Sequence, residues 1–392
     1  MHVAQGSDSA RAASARQEDL TRDVQRHGEC RPTRYPGNLA ATVSPLPAEG
    51  SSPSNTLDDF IGPEEPAADL PLVVGFGEAL IRLTAKDRLP LELATAVTLD
   101  VGGAELNALI ALAQLGCRAR WVSRLPRNPL GHRIVGHARR HGVEVVIDWE
   151  SDARAGLYFI EEGSHPRPTR VIYDRAGSSA SRLHPGMFDW PRVLDSAAAL
   201  HCSGITCALG PDAEKAVVEA LESAAAAGVM ASFDVNYRSQ LWERSAAAAA
   251  IRRVLPRVNL LFASPFDLTL ITGEAPDSGL AEQVRTAYGL DLVVVRTQQA
   301  EGPGMVRVNV DVFDGKQAAG ATAQATVLDA FGAGDVAVAA FLGRLLNKAP
   351  LDQAASAAAK RSAHMYTLPG DTWLRPAVEF DGDAPSMGWI HR

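Results

Sequence analysis

Between Leu72 and Met365 short apolar runs alternate with stretches that are apolar at every third or fourth residue. Leu72-Val73-Val74-Gly75-Phe76-Gly77 is almost wholly apolar, the pattern of a strand buried on both faces. Glu78 to Leu83 reads as a second extended piece. Ala104 to Leu115 puts Leu106, Leu109, Ile110 and Ala113 on one helical face, with Gly116 as a stop. The same reasoning predicts strands over Ala119–Leu125, Val143–Ile147, Ala198–Ile205, Val229–Val235, Asn259–Ala263 and Leu292–Val295. Helices are expected over Leu130–His141, Pro211–Ala227, Ala246–Val254, Leu280–Tyr288, Gly334–Leu346 and Leu351–Met365. This alternation implies a mostly parallel sheet covered by helices on both sides.

Two places break the alternation. Gly156-Leu157-Tyr158-Phe159-Ile160 and Thr169-Arg170-Val171-Ile172-Tyr173 are extended runs joined by a Gly/Pro region with no helix between them, so they read as a hairpin flap inserted into the fold. A β pair is expected across Met305 to Phe313.

Composition narrows the class. The chain has 392 residues and is 46% hydrophobic, enough for one large core or two smaller ones. Its net charge of −8 argues against a broad nucleic-acid surface but leaves room for a local basic pocket. Cys30, Cys117, Cys202 and Cys207 have no Cys-x-x-Cys spacing and read as free thiols of a reducing, cytoplasmic compartment. No apolar run is long enough to span a membrane, and the N-terminus lacks a secretory signal. Residues 1–70, rich in Ser, Ala, Pro, Gly and charge, read as a disordered or loosely attached extension, or as an over-long gene start. Residues 71–380 form the expected domain and 381–392 a C-terminal tail.

The chemistry concentrates in Asp329-Ala330-Phe331-Gly332-Ala333-Gly334-Asp335, a two-glycine loop entering a helix. Glycines let backbone N–H groups converge, and a helix N-terminus adds a positive dipole end; together they favour an anion. Asp335 beside an anion site has two readings. It caps the helix, or it takes a proton from a hydroxyl that attacks a phosphoryl group. Polar sequences also follow the predicted strands, where open α/β sheets bind ligands. Arg175 and Arg238 lie there, and a guanidinium fork matches a carboxylate; the plainer reading of each is a surface residue or structural ion pair. Tyr158 and Tyr173 alternate with apolar neighbours, so each faces a ligand or packs a core.

The glycine loop resembles the C-terminal signature of the ribokinase-like (PfkB) carbohydrate kinases, usually Asp-Thr-Thr-Gly-Ala-Gly-Asp. Val101-Gly102-Gly103-Ala104-Glu105-Leu106-Asn107-Ala108 resembles the family's N-terminal pattern, and Arg124 to Gly131 its next loop. Gly156 to Phe159, Arg167 to Ser178, Ser203-Gly204-Ile205-Thr206, Asp234 to Trp242 and Leu368-Pro369-Gly370-Asp371 are similar to 2-keto-3-deoxygluconate kinases. The resemblance covers about residues 72–371. It implies a ribokinase-like three-layer sandwich, with a mostly parallel central sheet and a small β lid from about 78–100 and 155–175. It also implies ATP and Mg²⁺ as cofactors, an acid-sugar substrate, and a homo-oligomer contact through the lid. Asp335 would be the base, with Gly332, Ala333 and Gly334 forming the anion hole. Gly102, Gly103, Asn107, Tyr158, Tyr173, Arg175, Arg238 and Asp371 would bind sugar, the paired glycines letting it lie against the backbone. Arg296 and Phe331, with Gly332 and Gly334, would meet the nucleotide.

The departures fall on the nucleotide side. Ser264-Pro265-Phe266-Asp267 stands where the family has Asn-x-x-Glu, leaving Asp267 as the metal candidate, acting through water. Val295-Arg296-Thr297-Gln298-Gln299 lacks the usual glycine, and Val336-Ala337-Val338 replaces Ala-Phe. Three alternatives therefore stay open: a 2-keto-3-deoxygluconate kinase, a kinase of fructose, ribose or a related sugar, and a catalytically silent sugar-binding protein of this fold. A nicotinamide dehydrogenase is poorly supported, because no Gly-x-Gly-x-x-Gly turn follows the first strand.

Overall fold

The computed structural model describes residues 70–163, 166–316 and 318–374. Residues 1–69 and the expected tail at 381–392 lie outside them. In chain order the first half contains β1 (Leu72–Phe76), β2 (Leu80–Ala85), β3 (Val97–Gly102), α1 (Ala104–Gln114), β4 (Arg118–Pro126), α2 (Pro129–Arg140), β5 (Val143–Glu150), β6 (Gly156–Glu161) and β7 (Arg170–Asp174). It continues through β8 (Ala197–Ser203), α3 (Pro211–Ala226), β9 (Met230–Asp234), α4 (Arg244–Val254), β10 (Leu260–Ala263), α5 (Pro265–Thr272) and α6 (Leu280–Tyr288). It closes with β11 (Leu292–Ala300), β12 (Met305–Phe313), β13 (Ala318–Thr326), α7 (Ala333–Leu346) and α8 (Leu351–Met365).

Nine strands form the main sheet in the order β13-β12-β11-β10-β9-β8-β1-β4-β5. From β11 to β5 every pairing is parallel; β12 and β13 add an antiparallel edge. All five residues of β1 are buried, as a strand covered on both faces requires. One face carries α1, α2, α7 and α8 around Trp121, Leu109 and Phe341. The other carries α3, α4, α5 and α6 around Phe76, Val217 and Phe233. Each such side chain contributes about 1.5–3 kcal/mol by leaving water. The result is the three-layer sandwich of the ribokinase-like fold.

A second sheet, ordered β3-β2-β6-β7, stands over one end of the first. β6 and β7 are the antiparallel flap of the sequence reading, and β2 pairs parallel with β6. Leu80, Tyr158 and Ile160 form a small apolar cluster on this lid, with Val171, Tyr173 and Phe331 against it.

One expectation fails, and one element was not foreseen. Met305 to Phe313 is one strand, not a pair; its partner is β13, Ala-Ala-Gly-Ala-Thr-Ala-Gln-Ala-Thr. Alanine and glycine are poor strand formers, so nothing in that stretch announces pairing. Ser264 to Asp267 opens a helix that periodicity did not reveal. Pro265 sits in its first turn, Ser264 and Asp267 form a capping box, and Gly273 ends it at φ 79°. Cys117, Cys202 and Cys207 are buried free thiols. Among the described residues no helix is long and apolar enough to cross a membrane.

Candidate active site

Strand order reverses at β1, whose neighbours are β4 and β8. A crevice opens beyond the carboxyl ends of strands at such a switch point. The cavity there measures about 460 Å³ and is lined from the ends of β1, β8, β9 and β10 and from the lid. Every site residue expected from sequence lines it except Ala333. Ala333 is the buried first residue of α7, and its carbonyl accepts a bond from Ser362 Oγ at 2.8 Å.

One end of the cavity is the glycine loop. Gly332 has φ 72°, and its carbonyl accepts from Val336 N at 2.9 Å, starting α7. A Cβ there would strike the Asp371 carbonyl, so only glycine fits. Phe331 N donates to Asp329 Oδ1 at 3.1 Å, which takes that amide away from any anion. The donors left are those of Gly332 to Gly334, where a helix N-terminus supplies no partner of its own. Asp335 is buried, and its Oδ2 accepts from Asn107 Nδ2 at 2.8 Å. Burial pushes its carboxyl up to about 7, against the pull of Asn107 and Arg238. Asp234 is pushed higher, to about 8, by burial and then by Asp267 and Asp335.

Asp267 is occupied by its own helix. Its Oδ2 accepts from Ser264 N at 2.7 Å and from Ser264 Oγ at 2.7 Å, and burial raises its pKa. Among the described residues no three His, Cys, Asp or Glu side chains gather closely enough to hold a metal by themselves. Arg296 lies beside the loop: a Cβ on Gly334 would sit 3.5 Å from its Nη2. Arg238 lies exposed on the rim.

The lid end differs. Arg175 Nη2 pairs with Glu78 Oε2 at 3.1 Å, and its guanidinium lies 4.8 Å from the Tyr173 ring centre. Glu78 is buried, which raises its pKa; Arg175 and a 3.1 Å bond from Ser178 Oγ offset part of this. Arg175 Nε has no hydrogen-bond partner among the described residues. Tyr173 stacks on Tyr158 at 5.9 Å, and Tyr158 Oη donates to Asp371 Oδ2 at 2.7 Å. The paired glycines make room for the protein's own atoms. A Cβ on Gly102 would meet Tyr158 Oη and Asp371 Oδ2, and one on Gly103 would meet the Glu78 carbonyl.

Sequence reasoning missed Glu78 and Asp234, which line the cavity, and Arg82, which does not line it but pairs with Asp371 of its lining. Arg82 carried a signal, a charge inside Leu80-Ile81-Arg82-Leu83, whereas Glu78 merely opened the expected extended piece Glu78 to Leu83. Glu105 was also passed over. It is buried at the first turn of α1 and accepts from Ser203 Oγ at 2.7 Å and Thr206 Oγ1 at 2.8 Å, tying that helix to β8.

Comparison with known proteins adds three findings. The sequence pattern of the pfkB family carbohydrate kinases matches residues 70–373. The chain is 37% identical over 302 residues to a 2-dehydro-3-deoxygalactonokinase of Haloferax volcanii, covering 76% of this chain and 92% of the relative. It is 30% identical over 318 residues to a 2-dehydro-3-deoxygluconokinase of Thermoproteus tenax, covering 80% and 94%. The crystal structure of a 2-dehydro-3-deoxygluconokinase from Thermotoga maritima superposes with a TM-score of 0.74 at 32% identity, covering 78% of this chain and 95% of that one.

Proposed function

We propose that this chain, which belongs to the pfkB family of carbohydrate kinases, transfers the γ-phosphoryl group of ATP to the terminal hydroxyl of 2-keto-3-deoxygluconate. The family makes it an ATP-dependent phosphotransferase. A 2-dehydro-3-deoxy sugar acid as substrate follows from the relatives and from the cavity. The observation that carries the acid is two arginines, Arg175 and Arg238, lining the same cavity as Asp335. Neutral sugars have no use for a guanidinium fork. The Haloferax volcanii relative favours a second reading, the galactonate epimer.

In this reading Asp335 accepts the proton of the sugar hydroxyl as its oxygen bonds to the γ-phosphorus. The bond from that phosphorus to the bridging oxygen breaks, and ADP leaves. The amides of Gly332 to Gly334 face the charge on the transferring group, each worth about 3 kcal/mol when well placed. A base with a pKa near 7 is poised for work near neutrality. When bound with ATP, Mg²⁺ would neutralise charge on the phosphate oxygens. The residues suit it: Asp267 and Asp335 raise the Asp234 pKa, so a nearby cation would be favoured, and Asp267, held by Ser264, would reach it through water. Arg296 meets a phosphate beside Gly334. The lid closes over the sugar, and a second copy of the chain docks on it, where Leu93 and Ile172 expose apolar surface.

A coupled assay of ADP release over a panel of 2-keto-3-deoxy acids, their epimers and neutral sugars tests this. Turnover with an acid and little with its neutral analogue is expected. Equal use of fructose or ribose would overturn the substrate, and no ATP turnover with any sugar would leave a silent binding protein.

A further inference from the structure

Arg82 has no place in the chemistry above, yet all three of its guanidinium nitrogens are hydrogen-bonded and it pairs with two carboxylates. It lies in β2, opposite Tyr158 of β6 in the lid register, and is 2% exposed. Its Nη2 donates to Asp329 Oδ2 at 2.9 Å, its Nη1 to Asp371 Oδ1, and its Nε to Thr84 Oγ1 at 3.0 Å. The guanidinium also lies 4.8 Å from the centre of the Phe331 ring. Burial alone would lower its pKa, but Asp371 and Asp329 outweigh that and hold it above its ordinary value. The charge therefore stays on.

What these partners hold matters more than their number. Asp329 fixes Phe331 N through its other oxygen and accepts Gly370 N at 2.9 Å. Leu328 N and Asp329 N donate to the Tyr366 carbonyl at 2.8 and 3.2 Å. Asp371 accepts from Tyr158, and its carbonyl lies where a Cβ on Gly332 would fall. One guanidinium thus joins the lid, the loop before α7 and the segment after α8. Arg82 is not among the residues that line the cavity.

We infer that Arg82 is a positioning residue: it fixes the glycine loop to the base of the lid, so that the anion hole takes its geometry from the sugar-binding sheet. The inference rests on the kinase reading. A guanidinium suits the task because its planar fork meets two carboxylates at set angles. Apolar packing alone would let the loop slide, and misplacing a reacting group by about 1 Å costs on the order of 100-fold in rate.

The test compares Arg82→Ala, Arg82→Lys and Asp329→Asn with the wild-type chain, using whichever sugar the wild type accepts. Failure of the wild type on acid sugars therefore counts against the substrate reading and leaves this ratio measurable. For Arg82→Ala we expect kcat to fall by about 100-fold, more than either KM rises. Millimolar guanidinium ion should restore part of it by refilling the space, and Arg82→Lys should lose less. Thermal unfolding establishes that each variant is folded at the assay temperature. If Arg82→Ala is not, Arg82→Lys and Asp329→Asn carry the same comparison. A lowered melting temperature with kcat within about threefold of wild type would make Arg82 merely structural and sink the inference. So would a loss confined to the KM of the sugar, or a folded Arg82→Ala that guanidinium does not improve.

Discussion

The two ends of the cavity solve their electrostatics in opposite ways. At the lid, carboxylates meet guanidinium groups: Glu78 has Arg175, and Asp329 and Asp371 share Arg82. At the glycine loop, half-buried Asp234 and buried Asp335 have raised pKa values; Arg238 pulls both down and Arg296 pulls Asp234 down, but among the described residues neither arginine makes an ion pair with them at contact distance. At the first end the charges are paired within the protein. The second is left short of positive charge, a deficit that a cation accompanying ATP would fill. A sugar pocket gains from being rigid before its ligand arrives, because ordering costs are then already met. A phosphoryl-transfer site gains from charge that is balanced only when the reactants are in place.

The sharpest way to break this contrast is Asp335→Asn. If Asp335 is the base, kcat should fall by about 100- to 10,000-fold while calorimetry finds sugar affinity little changed. Near-normal turnover would reduce Asp335 to a helix cap. The two arginines come next. Replacing Arg238, exposed on the rim, with Met should raise KM for the acid sugar but not for a neutral analogue, with no change in melting temperature. Arg175→Met should do the same and also lower the melting temperature, because it strands buried Glu78. Removing one partner of a buried charged pair costs about 2–5 kcal/mol. Acid and neutral sugars suffering alike would make both arginines structural.

Protonation gives the smaller effects. With Asp335 held near 7, kcat should decline as pH falls through that value. Asn107 lowers the Asp335 pKa through its bond, so Asn107→Ala should move the midpoint to higher pH. A midpoint that stays put would mean that Asn107 does not set it. Stability should follow the same groups. Between the ordinary value of 3.8 and about 7, folded Asp335 holds a proton that the unfolded chain has released. Stability is fully present below that window and is lost as pH rises through it; Asp234 extends the loss to about 8. Denaturant titrations of the ligand-free protein should find a shallower decline in Asp335→Asn than in the wild type. A slope identical in both would contradict the raised value.

Much of this was legible in the chain, and the rest was hidden for a physical reason. The alternation from Leu72 to Met365 identified the parallel sheet because buried strands and amphipathic helices leave different periods. The loop from Asp329 to Asp335 was legible because its glycines, helix start and acid are neighbours in sequence. β13 was silent because its Ala, Gly and Thr residues have no pattern of their own and pair only because β12 lies alongside. Helix α5 did carry a start signal, Ser264-Pro265 with Asp267, but eight residues are too few for a period. Arg175 was read as a carboxylate clamp or a structural ion pair; in the structure it pairs with Glu78, which no spacing reveals.

The pairings of Arg82 reach across 247 residues to Asp329 and 289 to Asp371. Read along the time axis of synthesis, that span sets an order of assembly. The lid strand leaves the ribosome early and carries a charge whose partners are among the last described residues to be made. Contacts so distant along the chain form late, since their loop-closure cost must first be met by other structure. The layer of α3 to α6 can settle while the chain is still growing, but the lid's buried charge cannot be neutralised until the segment around Asp371 is out. Neutralising that charge and fixing the loop before α7 would then be one event, late in assembly.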